Sequence, residues 1–187
     1  MEEKVYRTEL TPVSFLERSA SVFPDKVAIV HGDRKYTYRE FAERVNRLAS
    51  HLRAMGMQKH DRVAFLCPNT PAMLDAHFGV PAAGGILVAI NTRLNSQEIN
   101  FILRHSGSKF LFVDDELYPL VEPLNLEGIQ VVRVADTGKA DDPYEIFLAA
   151  GSPEPVASWL EDEEETISIS TSPGPGLGTG LSSMWIL

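Results

Sequence analysis

The stretch Arg62–Asn91, RVAFLCPNTPAMLDAHFGVPAAGGILVAIN, decides the fold class. It opens with the apolar run RVAFLC and closes with the apolar run ILVAIN, both of strand length. Between them, Asn69-Thr70-Pro71 is typical of the start of a helix. Two buried strands joined through a helix form a right-handed crossover, which places the strands parallel in one sheet. The stretch therefore predicts a parallel sheet with helices packed on it.

The sequence downstream continues this alternation of strands and helices. KFLFVD and IQVVRVAD are two further apolar runs of strand length, and DPYEIFLAA after them is typical of a short helix. Asn95 or Ser96 caps the segment QEINFILRHSG, which ends at Gly107. The pattern predicts an α/β protein with a doubly wound, mostly parallel sheet and flanking helices.

The upstream sequence contains the strongest helix signal in the chain. Thr37 and Glu40 have the spacing of a capping box, and Gly56 has the place of a residue just beyond a helix end. Between them, apolar residues recur at steps of three and four: Phe41, Val45, Leu48, Leu52 and Met55. We therefore expect an amphipathic helix here.

The amino-terminal region predicts a short helix and a hairpin. Thr11 and Pro12 form a favoured cap and first turn, followed by an apolar face made of Phe15, Leu16 and Val22. Gly32 and Asp33 separate two β-prone runs in VAIVHGDRKYTY, as in a β-hairpin.

Composition excludes several classes of function. The formal net charge is −9 and no basic cluster occurs, which argues against a nucleic-acid surface. The single Cys67 allows no intrachain disulfide and is interpreted as a buried apolar residue in a reducing compartment. No apolar run approaches the roughly 18 residues of a membrane span, and no secretory signal begins the chain. These features favour a cytoplasmic location.

The composition divides the chain into three regions. Residues 1–150 carry the α/β pattern, and residues 151–165 are rich in proline, serine and acid, as in a linker. Residues 166–187 comprise the strand-like TISIS followed by a glycine-rich stretch and an apolar tail. A glycine-rich loop directly after a strand is the usual context of a phosphate site.

Three stretches together resemble the AMP-forming acyl-CoA synthetases of the adenylate-forming superfamily. Tyr36–Phe41, YTYREF, is similar to that family's early T-Y-x-E-L/F motif, and Pro81–Asn91, PAAGGILVAIN, to its A-G-x-x-x-x-P/I-N stretch. The third is TSPGPGLGTG at 171–180. The resemblance extends from Leu10 to Thr171, favours the fatty-acid branch, and implies a truncated amino-terminal subdomain of the adenylate-forming fold.

In the family, a loop T-S-G-T-T-G-x-P-K-G holds the ATP phosphates, and this sequence matches it only in part. Pro173 stands in place of a glycine and Thr179 in place of the lysine, so a full positive charge is lost. The stretch also fits neither G-x-x-x-x-G-K-[ST] nor G-x-G-x-x-G. The resemblance assigns this degenerate cofactor-binding loop to Thr171, Ser172, Gly174, Gly176, Gly178, Thr179 and Gly180.

The resemblance also implies the parent reaction, in which an acid, ATP and Mg²⁺ give an acyl-adenylate that coenzyme A converts to a thioester. The family's later motifs, which supply the adenine pocket, the magnesium ligand and the adenylation lysine, have no counterpart here. No catalytic or metal-binding residue is therefore assigned, and we expect the fragment to be inactive alone. The abrupt divergence after Thr171 leads to the hypothesis of a shifted reading frame or a truncated gene model.

Two other functions stay open at this point. A truncated α/β domain leaves an uncovered face that self-associates or binds a partner, with Trp159, Trp185, Ile186 and Leu187 as candidates. A dinucleotide-binding oxidoreductase also fits the α/β pattern. It ranks lower because Cys67-Pro68-Asn69-Thr70, at the first strand-to-helix turn, contains no glycine.

Overall fold

A computed structural model describes residues 11–156 and the backbone of residues 168–170. The helices are α1 (Pro12–Val22), α2 (Tyr38–Ala54), α3 (Pro71–Ala82), α4 (Ser96–Ser106) and α5 (Pro143–Ala149), with a 3₁₀ turn at Tyr118–Leu120. The strands are β1 (Val27–His31), β2 (Arg34–Thr37), β3 (Arg62–Leu66), β4 (Ile86–Ala89), β5 (Phe110–Asp114), β6 (Gln130–Val134) and β7 (Ser168–Ser170).

Five strands form one sheet in the order β6-β5-β3-β4-β7, and every neighbouring pair is parallel. Val63 in the central strand β3 lies between Leu87 of β4 and Phe110 of β5. The chain runs from β3 to β4 on one side and then returns to β5 on the other, as in a doubly wound sheet. β1 and β2 form a separate antiparallel hairpin. The predicted fold class is confirmed.

Alternate side chains of the strands enter two different cores. Val63, Phe65 and Phe112 face the core that α2, α3 and α5 cover, and the rings of Phe65 and Phe112 stack at 4.3 Å. Ala64 and Leu66 face the opposite core, which α4 covers. Successive residues of a strand point to opposite faces, so a strand with helices on both sides is apolar throughout. This accounts for the uninterrupted apolar run in the sequence.

Helix α2 follows the predicted pattern closely. The Thr37 side chain accepts a hydrogen bond from Glu40 N–H, while the Glu40 carboxylate accepts one from Thr37 N–H at 2.7 Å. Four of the five periodic residues are buried, and only Met55 is exposed. Each buried residue of this size stabilises the fold by about 1.5–3 kcal/mol. Gly56 has a φ of 90°, as its place after the helix end requires.

Helix α1 is capped as predicted but packs differently. Thr11 and Ser14 form a capping box, and Leu16 is buried. Phe15 and Val22, which the sequence pattern places on the same apolar face, are 54 % and 57 % exposed. An apolar residue on a helix does not by itself determine which side packs against the core.

Two further boundaries are defined by the structure. Helix α3 continues through Pro81 to Ala82, and Gly84 follows its end with a φ of 81°. The first residues of the predicted 151–165 linker are attached to the domain: Arg47 Nη1 donates to Gly151 O at 2.9 Å. A Cβ at Gly151 would lie 2.1 Å from Arg47 O, so only glycine fits this close approach to α2.

Candidate nucleotide-binding edge of the sheet

All five strands of the sheet end at the same edge, because they are parallel. β7 pairs with β4 in the register Leu87↔Ser168 and Ala89↔Ser170. Ser170 therefore ends β7 at the carboxyl edge of the sheet, level with Ala89 at the end of β4. The predicted phosphate residues, Thr171, Ser172, Gly174, Gly176, Gly178, Thr179 and Gly180, lie outside the described residues, and their role stays a prediction.

The strand order places a crevice at this same edge. In open α/β sheets, ligands bind at the carboxyl ends of the strands, where the chain changes its direction of winding. That point lies between β3 and β5, with the turn Cys67–Thr70 on one side and Asp114 on the other. Two strand spacings, or about 10 Å, separate β3 from β7. The strand before the predicted loop thus ends near the crevice.

The two reactive groups beside this crevice have structural roles. Cys67 is 3 % exposed, and burial raises the pKa of its thiol well above the usual range. Asp114 is also buried, which raises the pKa of its carboxyl, and its Oδ1 accepts a hydrogen bond from Glu116 N–H at 2.9 Å. A thiol held protonated is a poor nucleophile. The interpretation of Cys67 as a buried apolar residue is confirmed.

A charged cluster at the end of β6 was missed by the sequence analysis. Asp136 has a φ of 50°, a left-handed conformation that is uncommon outside glycine. Its carboxylate contacts His31 Nε2 at 3.0 Å and accepts a hydrogen bond from Arg34 Nη2 at 2.7 Å. The cluster joins the hairpin to the carboxyl edge of the sheet. More than 100 residues separate the partners in the sequence, so no local pattern reveals the contact.

A cleft of about 270 Å³ lies between β1 and the start of α3. Its walls are mostly apolar and include Val30, Met73 and Leu74, with His77 at its edge. His77 Nδ1 lies 2.7 Å from Met73 O, one helical turn earlier, so this ring is held against its own helix. His31 also lines the cleft, and its acidic partner is Asp136 of the charged cluster.

In residues 11–156, no group of three or more histidine, cysteine, aspartate or glutamate residues is arranged to hold a metal ion. Over the same part of the chain, no helix has the length and apolar character needed to cross a bilayer.

The family model described as AMP-binding enzyme matches residues 16–172. An Arabidopsis thaliana protein named "Probable acyl-activating enzyme 5, peroxisomal" is 50 % identical over 141 residues, which cover 75 % of this chain and 24 % of the relative. A peroxisomal acetate/butyrate–CoA ligase of the same plant is 44 % identical over 115 residues, covering 62 % of this chain and 20 % of the relative. The chain thus spans about a fifth to a quarter of these relatives.

Solved structures show the same fold. An anthranilate CoA ligase in complex with anthranoyl-AMP superimposes with a TM-score of 0.78 at 25 % identity, covering 93 % of this chain and 33 % of that one. The N-terminal domain of FACL13 from Mycobacterium tuberculosis gives a TM-score of 0.74 at 27 % identity, covering 86 % of this chain and 41 % of that one. The chain therefore belongs to the AMP-binding enzyme family, as an amino-terminal part of the acyl-CoA synthetase fold.

Proposed function

We propose that this chain supplies the amino-terminal α/β portion of an acyl-CoA ligase, which activates a carboxylic acid with ATP and transfers the acyl group to coenzyme A. The observation that carries the proposal is the pairing of β7 with β4. This pairing brings Ser170 to the carboxyl edge of the sheet, directly before the stretch that resembles the family's phosphate loop. Relatives named as acetate/butyrate–CoA and butyrate–CoA ligases support an aliphatic, fatty-type acid as substrate.

In this proposal, backbone N–H groups and hydroxyls of residues 171–180 hold the ATP phosphates. Helix and loop amides attract phosphate through partial charges, whereas the family's lysine adds a full positive charge. Thr179 does not supply that charge. Arg93 is an exposed basic residue in the loop after β4, the strand that neighbours β7, and we propose that it adds positive charge to the phosphate site. Bound ATP with Mg²⁺ would supply the electrophilic phosphorus for acid activation.

We further propose that the 187-residue chain does not form acyl-adenylate alone, because the lysine is missing from the loop. The test is calorimetric titration of the chain with ATP and Mg²⁺, together with acid-dependent ATP–pyrophosphate exchange. Exchange well above a blank without protein would contradict the proposed inactivity.

A repaired loop tests the phosphate site itself. We expect the double variant Pro173→Gly/Thr179→Lys to bind ATP at least about tenfold more tightly than the natural chain, because a charge-assisted hydrogen bond contributes about 1.5–3 kcal/mol. Ser182→Lys adds the same charge just beyond the loop and serves as the control. Equal affinities for the two variants would show that residues 171–180 do not form the site.

A non-catalytic interaction module is the second candidate function. Large apolar side chains are exposed on the described surface, including Phe15, Val30 and Phe101, at 54 %, 64 % and 66 %. Such residues favour self-association when they are not covered. Sedimentation of the purified chain at several concentrations tests self-association, and a monomer at all of them would count against this candidate. The tryptophans proposed for this face, Trp159 and Trp185, lie outside the described residues.

The cytoplasmic location also stays a proposal, supported by the single cysteine and the ordinary composition. Several relatives carry "peroxisomal" in their names, so the compartment needs its own test. Imaging of the chain fused at its amino terminus to a fluorescent protein distinguishes diffuse cytoplasmic signal from organellar signal.

A further inference from the structure

Three helices meet at a charged cluster inside the larger core. Arg44 of α2 lies between two carboxylates, Asp75 of α3 and Glu145 of α5. Its Nε donates to Asp75 Oδ2 at 3.0 Å and its Nη2 lies 2.9 Å from the same oxygen, while its Nη1 donates to Glu145 Oε2 at 2.8 Å. The side chains of Arg44, Asp75 and Glu145 are 12 %, 0 % and 20 % exposed. One cation is thus shared by two anions.

The hydrogen bonds to Asp75 are distributed unequally. Oδ2 accepts hydrogen bonds from Arg44 Nε and from the Tyr144 hydroxyl, the latter at 3.2 Å, and also has Arg44 Nη2 at 2.9 Å. Oδ1 is fully buried and has no hydrogen-bond partner among the described residues. A buried carboxylate oxygen without a donor is costly, since it loses its water without gaining a replacement.

The charges in the cluster do not balance. Arg44 contributes one positive charge, whereas Asp75 and Glu145 together contribute two negative charges. The other titratable groups that face the cluster are Tyr144 of α5 and Tyr36 of β2, whose rings lie 5.9 and 4.9 Å from the Arg44 guanidinium. Glu145 reaches solvent, but Asp75 does not. The excess negative charge is therefore least well solvated on Asp75.

We propose that Asp75 is a proton-binding site of the native fold, which takes up one proton at Oδ1 in mild acid while Arg44 stays paired with Glu145. Burial raises the pKa of Asp75 to about 6, against the attraction of Arg44. In the unfolded chain the carboxyl has an ordinary pKa of about 3.9. The folded state then binds more protons than the unfolded state between these values, so this group stabilises the fold as the pH falls from 7 to 5 and loses that effect as the pH rises.

The inference is independent of the proposed function, and urea unfolding of the full chain at pH 7 and pH 5 tests it. In the isosteric variant Asp75→Asn the proton site is removed. We expect the ratio of the equilibrium constants for unfolding, variant over natural chain, to rise about tenfold from pH 7 to pH 5. The ratio rises because only the natural chain is stabilised by proton uptake at residue 75. A ratio that does not change with pH would overturn the proposal.

Asp61→Asn is the matched control. Asp61 is also buried, but the hydrogen bonds from Lys109 and from Gln58 N–H outweigh burial and lower the pKa of its carboxyl. We expect this variant to keep the pH dependence that Asp75 confers. If Asp75→Asn fails to fold, ¹³C NMR titration of the Asp75 carboxyl in the natural chain decides the question. A midpoint near pH 6 supports the proposal, and a midpoint below about pH 4 overturns it.

Discussion

The two faces of the sheet are stabilised by different means. The face under α4 is packed with apolar side chains, among them Ile99 and Leu103 of α4 and Leu66 of β3. The face under α2, α3 and α5 buries more apolar residues but also contains Arg44 and Asp75. An apolar contact tolerates small shifts, whereas a buried ion pair requires its partners in one geometry. The second face thus depends on the relative placement of three helices.

The largest change in unfolding free energy is expected when only one partner of the ion pair is removed. Arg44→Leu leaves Asp75 buried without its cation, and we expect unfolding free energy to fall by about 3–5 kcal/mol. Urea denaturation at pH 7 measures the change. The double variant Arg44→Leu/Asp75→Leu removes both charges and should recover most of the loss. A single variant within about 1 kcal/mol of the natural chain would mean that the pair contributes little to this face.

A cavity made in the core under α4 tests the same comparison from the apolar face. Leu103 is 1 % exposed in the core under α4, and Leu103→Ala should lower the unfolding free energy by about 3 kcal/mol through lost burial and the void left behind. Because Leu103 packs within an apolar cluster, we expect the loss to be the same at pH 5 and pH 7. Leu117, which is only partly buried beside the same core, provides the control: Leu117→Ala should cost less. A loss at Leu103 that varied with pH would show that the two faces are coupled.

The two faces also differ in how well the sequence predicts them. Apolar periodicity and caps gave α2, α4 and the parallel strands, because each depends on residues a few positions apart. The Arg44–Asp75 and His31–Asp136 contacts join residues 31 and 105 positions apart, so no local pattern contains them. The same difference between local and long-range information holds at the candidate site. The sequence indicated a glycine-rich loop after a strand, whereas the place of that strand beside β4 required the tertiary structure.

The smallest change in unfolding free energy is expected at two threonines that precede helices on the larger face. Thr37 bonds to Glu40 N–H at the start of α2, so Thr37→Ala should lower the unfolding free energy by about 1 kcal/mol. Thr70 occupies the same position before α3, but its side chain makes no capping bond and its Oγ1 is buried without a partner among the described residues. Removing a buried hydroxyl that makes no hydrogen bond relieves its desolvation cost, so Thr70→Ala should change stability by less than about 0.5 kcal/mol in either direction. Urea denaturation of both variants at pH 7 measures the difference. Equal losses would show that Thr70 caps α3 in solution, and that the start of this helix, at the crevice edge, is held as firmly as that of α2.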